Sequence, residues 1–232
     1  MTAADARLIC ALDLPSTQDA EQLVDVLGDA VSFYKIGLQL LPVGGMALAA
    51  RLKHSGKQVF LDYKLHDIPA TVEKATASLV GAGCDLLTVH AEPPVMRAAV
   101  KARSDAALKL LGVTVLTAYD DAMLAEMGYA HGARDLVLRR VDQALEAGMD
   151  GVVASPQEAS EIRARVGGDF LVVTPGVRPA GADAGDQKRV ATPSDALNAG
   201  ASHLVIGRPI SAAPDPRRAA EAIIAEMAAA QG

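Results

Sequence analysis

Short apolar, β-branched runs alternate with Ala- and Leu-rich stretches eight times along this chain, and that repetition constrains the fold more than any other feature. The runs are LICALD (8–13), SFYKIGL (32–38), QVFLDYK (58–64), DLLTVH (85–90), LKLLGVTVL (108–116), DGVVAS (150–155), FLVVTPG (170–176) and HLVIG (203–207). Segments with helical spacing, such as AEQLVDVLG, TVEKATASLVGAG and RDLVLRRVDQALEAG, lie between them. Strand then helix, repeated, builds parallel βα units. The runs are near-continuously apolar rather than alternating, as strands are when both faces are buried. Gly56, Gly83, Gly148 and Gly200 follow helical stretches, where a left-handed cap is wanted. Eight units in 232 residues predict a single-domain (β/α)8 TIM barrel spanning residues 1–232, slightly short of the ~250 residues typical of that fold. An open doubly wound sheet is the competing architecture. Its Gly-rich dinucleotide loop is missing after the first run, where ALDLPSTQDA holds no glycine. GADAGDQKR (181–189), the longest polar, glycine-containing segment, reads as a mobile loop after the seventh run.

Charge and composition narrow the function. With 22 basic and 28 acidic side chains the net charge is −6, which argues against general affinity for nucleic acid or an anionic membrane. A small anionic ligand held by a few local cations stays compatible. No tryptophan and 3% aromatic content leave little for a base-stacking surface. Cys10 and Cys84 sit inside apolar runs and read as buried, reduced thiols, and no Cys or His spacing suggests a metal site. The opening MTAADARLICALDLP has too short an apolar run for a signal peptide, and no segment reaches the ~18 apolar residues of a membrane span. A cytoplasmic location is expected.

In a barrel of this kind, polar residues at the C-terminal ends of the strands read as functional. Strand 1 ends at Asp13 and strand 2 carries Lys35. Strand 3 carries Asp62 and Lys64, with Asp67 just beyond. Strand 4 ends in Thr88 and His90, strand 5 at Thr117, strand 7 runs into Arg178, and strand 8 ends at Gly207 and Arg208. Asp62 and Lys64, two apart on a strand, share one face. Pointed into the barrel mouth beside Lys35, they form an alternating series of charges, Lys35, Asp62, Lys64 and Asp67. A purely structural ion-pair network is the plainer reading. Burying four charges is costly, however, and apolar residues often stabilise as well or better, so function is favoured.

A second group suits an anion. Loops after strands 7 and 8 bind phosphate in many barrels, and here they supply TPGVRP, DQKR and IGRP. Gly207 lets backbone N–H groups approach an anion and Arg208 offers a bidentate fork. Arg178 and Gln187 are positioned to close over it. A solvated basic loop is the alternative. Among the histidines, His54, His131 and His203 read as structural or surface residues, His66 faces away from the charged motif, and His90 is placed at the mouth. No metal-ligand pair and no Ser-His-Asp set is evident.

These residues together resemble the orotidine 5′-monophosphate decarboxylases of the single-domain bacterial type. DYKLHDIPATV matches the DxKxxDIPxTV signature of that family. ALD (11–13), FYKIGL (33–38), TVHA (88–91), VTVLT (113–117), TPGVRP (174–179), GDQKR (185–189) and IGRP (206–209) follow in the family's order and spacing. The resemblance implies decarboxylation of orotidine 5′-monophosphate to uridine 5′-monophosphate, the last step of de novo pyrimidine biosynthesis, with no cofactor and no metal. It implies that Lys64 donates the proton replacing the departing group and that Asp62 lies close to the substrate carboxylate. Lys35 would hold Asp62 and a ribose hydroxyl, and Asp13 would also bind ribose. Asp67 and Thr71 would reach across a homodimer interface into the partner's site, with Ile68 beside them among the substrate-binding residues. Thr117 would contact the pyrimidine, and Arg178, Gln187, Gly207 and Arg208 would grip the phosphate.

Two departures stand out. The family often has Gly after TVHA, where this chain has Glu92-Pro93-Pro94, and often Ser after the strand-5 threonine, where this chain has Ala118. Neither touches the charged centre. The nearest rival is a Mg²⁺-dependent sugar-phosphate decarboxylase or aldolase of the related barrel group. Such enzymes tend to carry an acid at the strand-2 position, which Lys35 occupies here. A Schiff-base aldolase would need Lys64 neutral, whereas two flanking acids favour its ammonium form. A non-catalytic nucleotide-binding barrel would not need Asp62, Lys64 and Asp67 all present.

Overall fold

The computed structural model describes residues 4–179 and 191–230. Eight strands close into a parallel barrel in sequence order, β1 through β8, with β8 pairing back to β1. They are β1 (Leu8–Ala11), β2 (Phe33–Gly37), β3 (Gln58–Leu65), β4 (Leu86–His90), β5 (Lys109–Val113), β6 (Gly151–Val153), β7 (Leu171–Thr174) and β8 (His203–Ile206). The helices are α1 (Thr17–Leu27), α2 (Gly45–His54), α3 (Pro69–Val80), α4 (Pro93–Arg103), α5 (Asp121–Glu126), α6 (Ala133–Ala147), α7 (Ala159–Arg165), α8 (Pro193–Asn198), α9 (Arg208–Ser211) and α10 (Pro216–Ala229), with a 3₁₀ turn at Leu41–Val43. This is the expected TIM barrel. Each of the eight runs forms a strand. The four cap glycines all take positive φ, from 68° at Gly83 to 99° at Gly200. The short helices α5 and α9 are additions that the periodicity did not signal, because neither is long enough to display a face.

Strand alternation divides the apolar residues into two cores. Ile9, Ala11, Phe33, Phe60, Leu86, Leu111, Val173 and Val205 point inward and fill the barrel. The alternate residues, among them Leu8, Cys10, Leu12, Tyr34, Ile36 and Leu61, face the helices in a larger second cluster. Phe33 and Phe60 are within 2% of complete burial, each worth about 2–3 kcal/mol of transfer free energy. Both cysteines are buried and unpaired, as expected.

The same alternation builds the mouth. Side chains two residues beyond the inner apolar layer point inward again, one level nearer the C-terminal end. Asp13 follows Ala11, Lys35 follows Phe33, Asp62 follows Phe60, Thr88 follows Leu86 and Gly207 follows Val205. The strand register staggers these levels, with Ala11 opposite Lys35, Lys35 opposite Phe60 and Gly37 opposite Asp62.

Two strand assignments need correction. β5 ends at Val113 rather than near Thr117. At Thr114 both the backbone N–H and the side-chain hydroxyl donate to the Val153 carbonyl, at 3.2 and 2.9 Å, and the chain leaves the ladder there. Thr117 is therefore a loop residue. β3 is also irregular. Leu61 pairs with Leu87 and Leu65 with Val89, so four residues on β3 span two on β4.

Candidate functional site

A cavity of about 610 Å³ opens at the C-terminal end of the barrel, within the size range of small-molecule sites. Asp13, Lys35, Asp62, Lys64, Thr117, Arg178, Gly207 and Arg208 all line it. The structure thus brings together eight of the twelve residues that the resemblance assigns to the site. Asp67, Ile68 and Thr71 are absent from the lining of this cavity and lie exposed on the adjoining loop and helix. Gln187 lies outside the described residues, as does the segment 181–189. The ends flanking that segment are pinned together, since the Arg178 N–H donates to the Ala191 carbonyl at 2.9 Å.

The charged series is real, but its members differ from those expected. Lys35 Nζ lies 2.9 Å from Asp13 Oδ1 and 3.4 Å from Asp62 Oδ2. Lys64 Nζ lies 2.8 Å from the same Asp62 oxygen. The alternation is Asp13, Lys35, Asp62, Lys64. Asp67 is not its fourth member within this chain, because its Oδ1 turns back to accept the Ile68 N–H at 2.6 Å. The series grades from wet to dry. Asp13 is half exposed, while the side chains of Lys35 and Asp62 keep 8% and 13% of their surface.

Burial lowers the Lys35 pKa, but the carboxylates of Asp62 and Asp13 outweigh it and hold the pKa above the ordinary 10.5. Burial likewise opposes the charge on Asp62. Lys35 and Lys64, with hydrogen bonds from Lys64 and Thr88, hold it below the ordinary 3.8. The stabilising contribution of Asp62 is therefore lost only as pH falls through a value below 3.8, and that of Lys35 only as pH rises through a value above 10.5. Neither group titrates between about pH 5 and 9.

The histidines behave differently. Burial, with His66 beside it, holds His90 below its ordinary 6.5, and burial does the same to His203 despite Asp5. On acidification the unfolded chain takes up these protons first, so stability drops as pH passes below about 6.5. The thermal midpoint is expected to fall between about pH 7.5 and 5.5, and His203→Asn to flatten that decline. An unchanged decline in the variant would show that His203 is not its source.

Lys64 has a backbone conformation that the strand pattern does not foretell, with φ of +48°. This left-handed region is disfavoured for a residue with a Cβ, and it recurs at functional sites. The shared face of Asp62 and Lys64 is thus reached through the irregularity in β3, not through simple pleat alternation. Gly37 is a participant that the sequence reading passed over. A Cβ there would lie 2.9 Å from both Asp13 Oδ1 and Lys35 Nζ. A glycine at the end of β2, two residues after Lys35, was the available signal.

Neither His66 nor His90 lines the cavity. Their rings lie 4.9 Å apart, and His66 Nε2 lies 3.1 Å from Glu92 Oε2. The Glu92-Pro93-Pro94 departure thus starts α4 and pairs with His66. Ala118 lines the cavity next to Thr117. Among the described residues, no group of three or more His, Cys, Asp and Glu converges to hold a metal ion, and no helix is long and apolar enough to cross a membrane.

Comparison with known proteins gives a consistent result. A profile described as "Orotidine 5'-phosphate decarboxylase / HUMPS family" matches residues 6–223. A protein of Caulobacter sp. (strain K31) named orotidine 5′-phosphate decarboxylase is 65% identical over 225 residues, covering 97% of this chain and 98% of its own. One of the same name from Rhodopseudomonas palustris (strain BisB5) is 57% identical, covering 97% and 95%. The crystal structure of orotidine 5′-phosphate decarboxylase from Lactobacillus acidophilus superposes with a TM-score of 0.83 at 35% identity, covering 96% of this chain and 99% of that one.

Proposed function

The chain belongs to the orotidine 5′-phosphate decarboxylase / HUMPS family, and on that premise we propose that its Asp13–Lys35–Asp62–Lys64 series carries the reaction. The activity is decarboxylation of orotidine 5′-monophosphate to uridine 5′-monophosphate, in pyrimidine biosynthesis. The bond from the ring carbon next to N1 to the carboxylate breaks, carbon dioxide leaves, and the electron pair stays on that carbon. Lys64 then delivers a proton to it and regains one from solvent. Its ammonium also stabilises the developing negative charge. Asp62 repels the substrate carboxylate and aims the Lys64 side chain. Asp13 and Lys35 take the ribose hydroxyls, Thr117 the pyrimidine, and Arg178, Gln187, Gly207 and Arg208 the phosphate. Residues 1–232 act as one barrel domain, with no cofactor.

The observation that carries this assignment is the placement of Lys64 Nζ, 2.8 Å from a carboxylate that a second ammonium also contacts. It also bears on the rival chemistries. Lys35 sets an ammonium 3.4 Å from Asp62, and a cation there disfavours a divalent metal at the same carboxylate. An ammonium paired this closely is a poor Schiff-base nucleophile.

The functional unit is a homodimer in which Asp67, Ile68 and Thr71 complete the partner's site. Supporting this, Ile68 is 66% exposed at the start of α3, outside the cavity lining, and a large apolar side chain held in water there suits an interface. Hybrid dimers test the whole assignment. Lys64→Ala and Asp67→Asn should each be inactive as homodimers. Mixed and allowed to exchange, they should recover about a quarter of wild-type activity, because one site in each heterodimer then has both residues intact. No recovery on exchange would remove the shared site.

A further inference from the structure

The irregularity in β3 has a counterpart on β4. Where Leu61 pairs with Leu87 and Leu65 with Val89, the residue between the two β4 partners is Thr88. It is fully buried and is not among the residues lining the cavity. Its single hydroxyl is used twice. Oγ1 accepts the backbone N–H of Lys64 at 3.0 Å and donates its proton to Asp62 Oδ1 at 2.9 Å.

Both bonds fall on the charged centre. The Lys64 N–H belongs to the residue with φ of +48°, in a stretch that has lost regular pairing with β4. Without a partner this partly buried donor would favour a relaxed backbone, and the Lys64 side chain would swing with it. The bond to Oδ1 fixes the other half of the pair. It turns the Asp62 carboxylate so that Oδ2 faces Lys64 and Lys35. One hydroxyl therefore sets the conformation of the proton donor and the rotation of the acid beside it.

We infer that Thr88 is a positioning residue for the decarboxylation, holding Lys64 and Asp62 in reactive geometry through its hydroxyl without touching the substrate. The inference rests on the roles proposed above for Lys64 and Asp62. A plainer role is available, in which the hydroxyl merely satisfies a buried N–H and the methyl merely fills space. The two roles separate because they depend on different atoms and affect different quantities. A packing role resides in the methyl group. A hydrogen-bonding role confined to stability lowers the thermal midpoint and leaves the turnover of folded enzyme unchanged. A positioning role lowers kcat.

Three variants decide it. Thr88→Val keeps the shape and removes the hydroxyl, Thr88→Ala removes both, and Thr88→Ser keeps the hydroxyl alone. Each is measured as folded protein for kcat with orotidine 5′-monophosphate and for affinity toward the product, uridine 5′-monophosphate. Displacing a reacting group by about an ångström costs on the order of a hundredfold in rate. Both hydroxyl-free variants should therefore lose about 10- to 100-fold in kcat, with product affinity within about threefold of wild type. Thr88→Ser should keep kcat within about threefold. If Thr88→Val does not fold, the comparison of Thr88→Ala with Thr88→Ser reads the same difference. Wild-type kcat in the hydroxyl-free variants would overturn the inference. So would equal losses in Thr88→Ser and Thr88→Val, or a parallel loss of kcat and product affinity. Lys64→Ala is assayed alongside. If it loses turnover while Thr88→Val does not, the positioning role alone fails. If Lys64→Ala keeps its turnover, the proposed chemistry fails first.

Discussion

Lys64→Ala is expected to lower kcat by at least about ten-thousandfold while the protein stays folded. The size follows from two losses at one atom. A positioned proton donor is worth about 10²–10⁴-fold, and a preorganised charge facing the developing carbanion a further 10²–10³-fold. The fold should tolerate the change. The Lys64 side chain is about a quarter exposed, and Lys35 remains within 3.4 Å of Asp62 to offset its charge. Alanine at this position still carries the left-handed backbone. Lys64→Gly should therefore be more stable than Lys64→Ala by about 1 kcal/mol, and equally inactive. Turnover by steady-state kinetics and midpoint by calorimetry separate the two effects. A folded Lys64→Ala protein within tenfold of wild-type kcat would remove Lys64 as the proton donor.

The second large effect is remote from the chemistry. Arg208→Ala is expected to lower kcat/KM by about 10²–10³-fold, the loss of a charge-assisted, bidentate phosphate contact. Arg208 follows β8 directly and lines the cavity with Gly207 and Arg178. β8 lies three strands away from β3 around the closed barrel. Binding energy from a non-reacting phosphate can be used to close a loop and organise distant charges. Part of the loss should therefore appear in kcat and not only in KM. The nucleoside orotidine, which lacks the phosphate, gives the control. Arg208→Ala and wild type should turn it over at similar rates. Near wild-type kcat/KM with the nucleotide would show that the phosphate binds elsewhere.

The barrel was legible because eight apolar runs separated by helical stretches admit few alternatives. The placement of Asp13, Lys35 and Asp62 was legible for a simpler reason. Each lies two residues past an inward-facing apolar residue, so period-2 alternation carries it into the mouth. Lys64 was legible as a member of the site but not in its geometry. Its positive φ depends on a register shift and on a hydroxyl from β4, and these are tertiary facts without a local signature. Asp67 shows the reverse. Its spacing from Lys64 suggested a place in the same charge series, but a loop residue obeys no strand alternation, and its carboxylate accepts the Ile68 N–H instead. Thr117 lines the cavity although it was reached from a strand drawn too long. β5 ends at Val113 although the apolar run continues to Leu116, and an apolar run cannot reveal where pairing stops. Thr88 was visible as a polar residue at a strand end, but nothing in TVHA tells that its hydroxyl serves two residues of the neighbouring strand.

Decarboxylation of orotidine 5′-monophosphate at this charged mouth is expected to proceed through Lys64 and without a metal. The most direct test follows the orotate ultraviolet absorbance after mixing the nucleotide with purified, EDTA-treated protein, with Lys64→Ala run in parallel. The account predicts rapid loss of absorbance that excess EDTA does not slow, and no measurable loss with the variant. Activity that EDTA abolishes and Mg²⁺ restores would contradict it, leaving the residues at the mouth as a site but assigning them different chemistry.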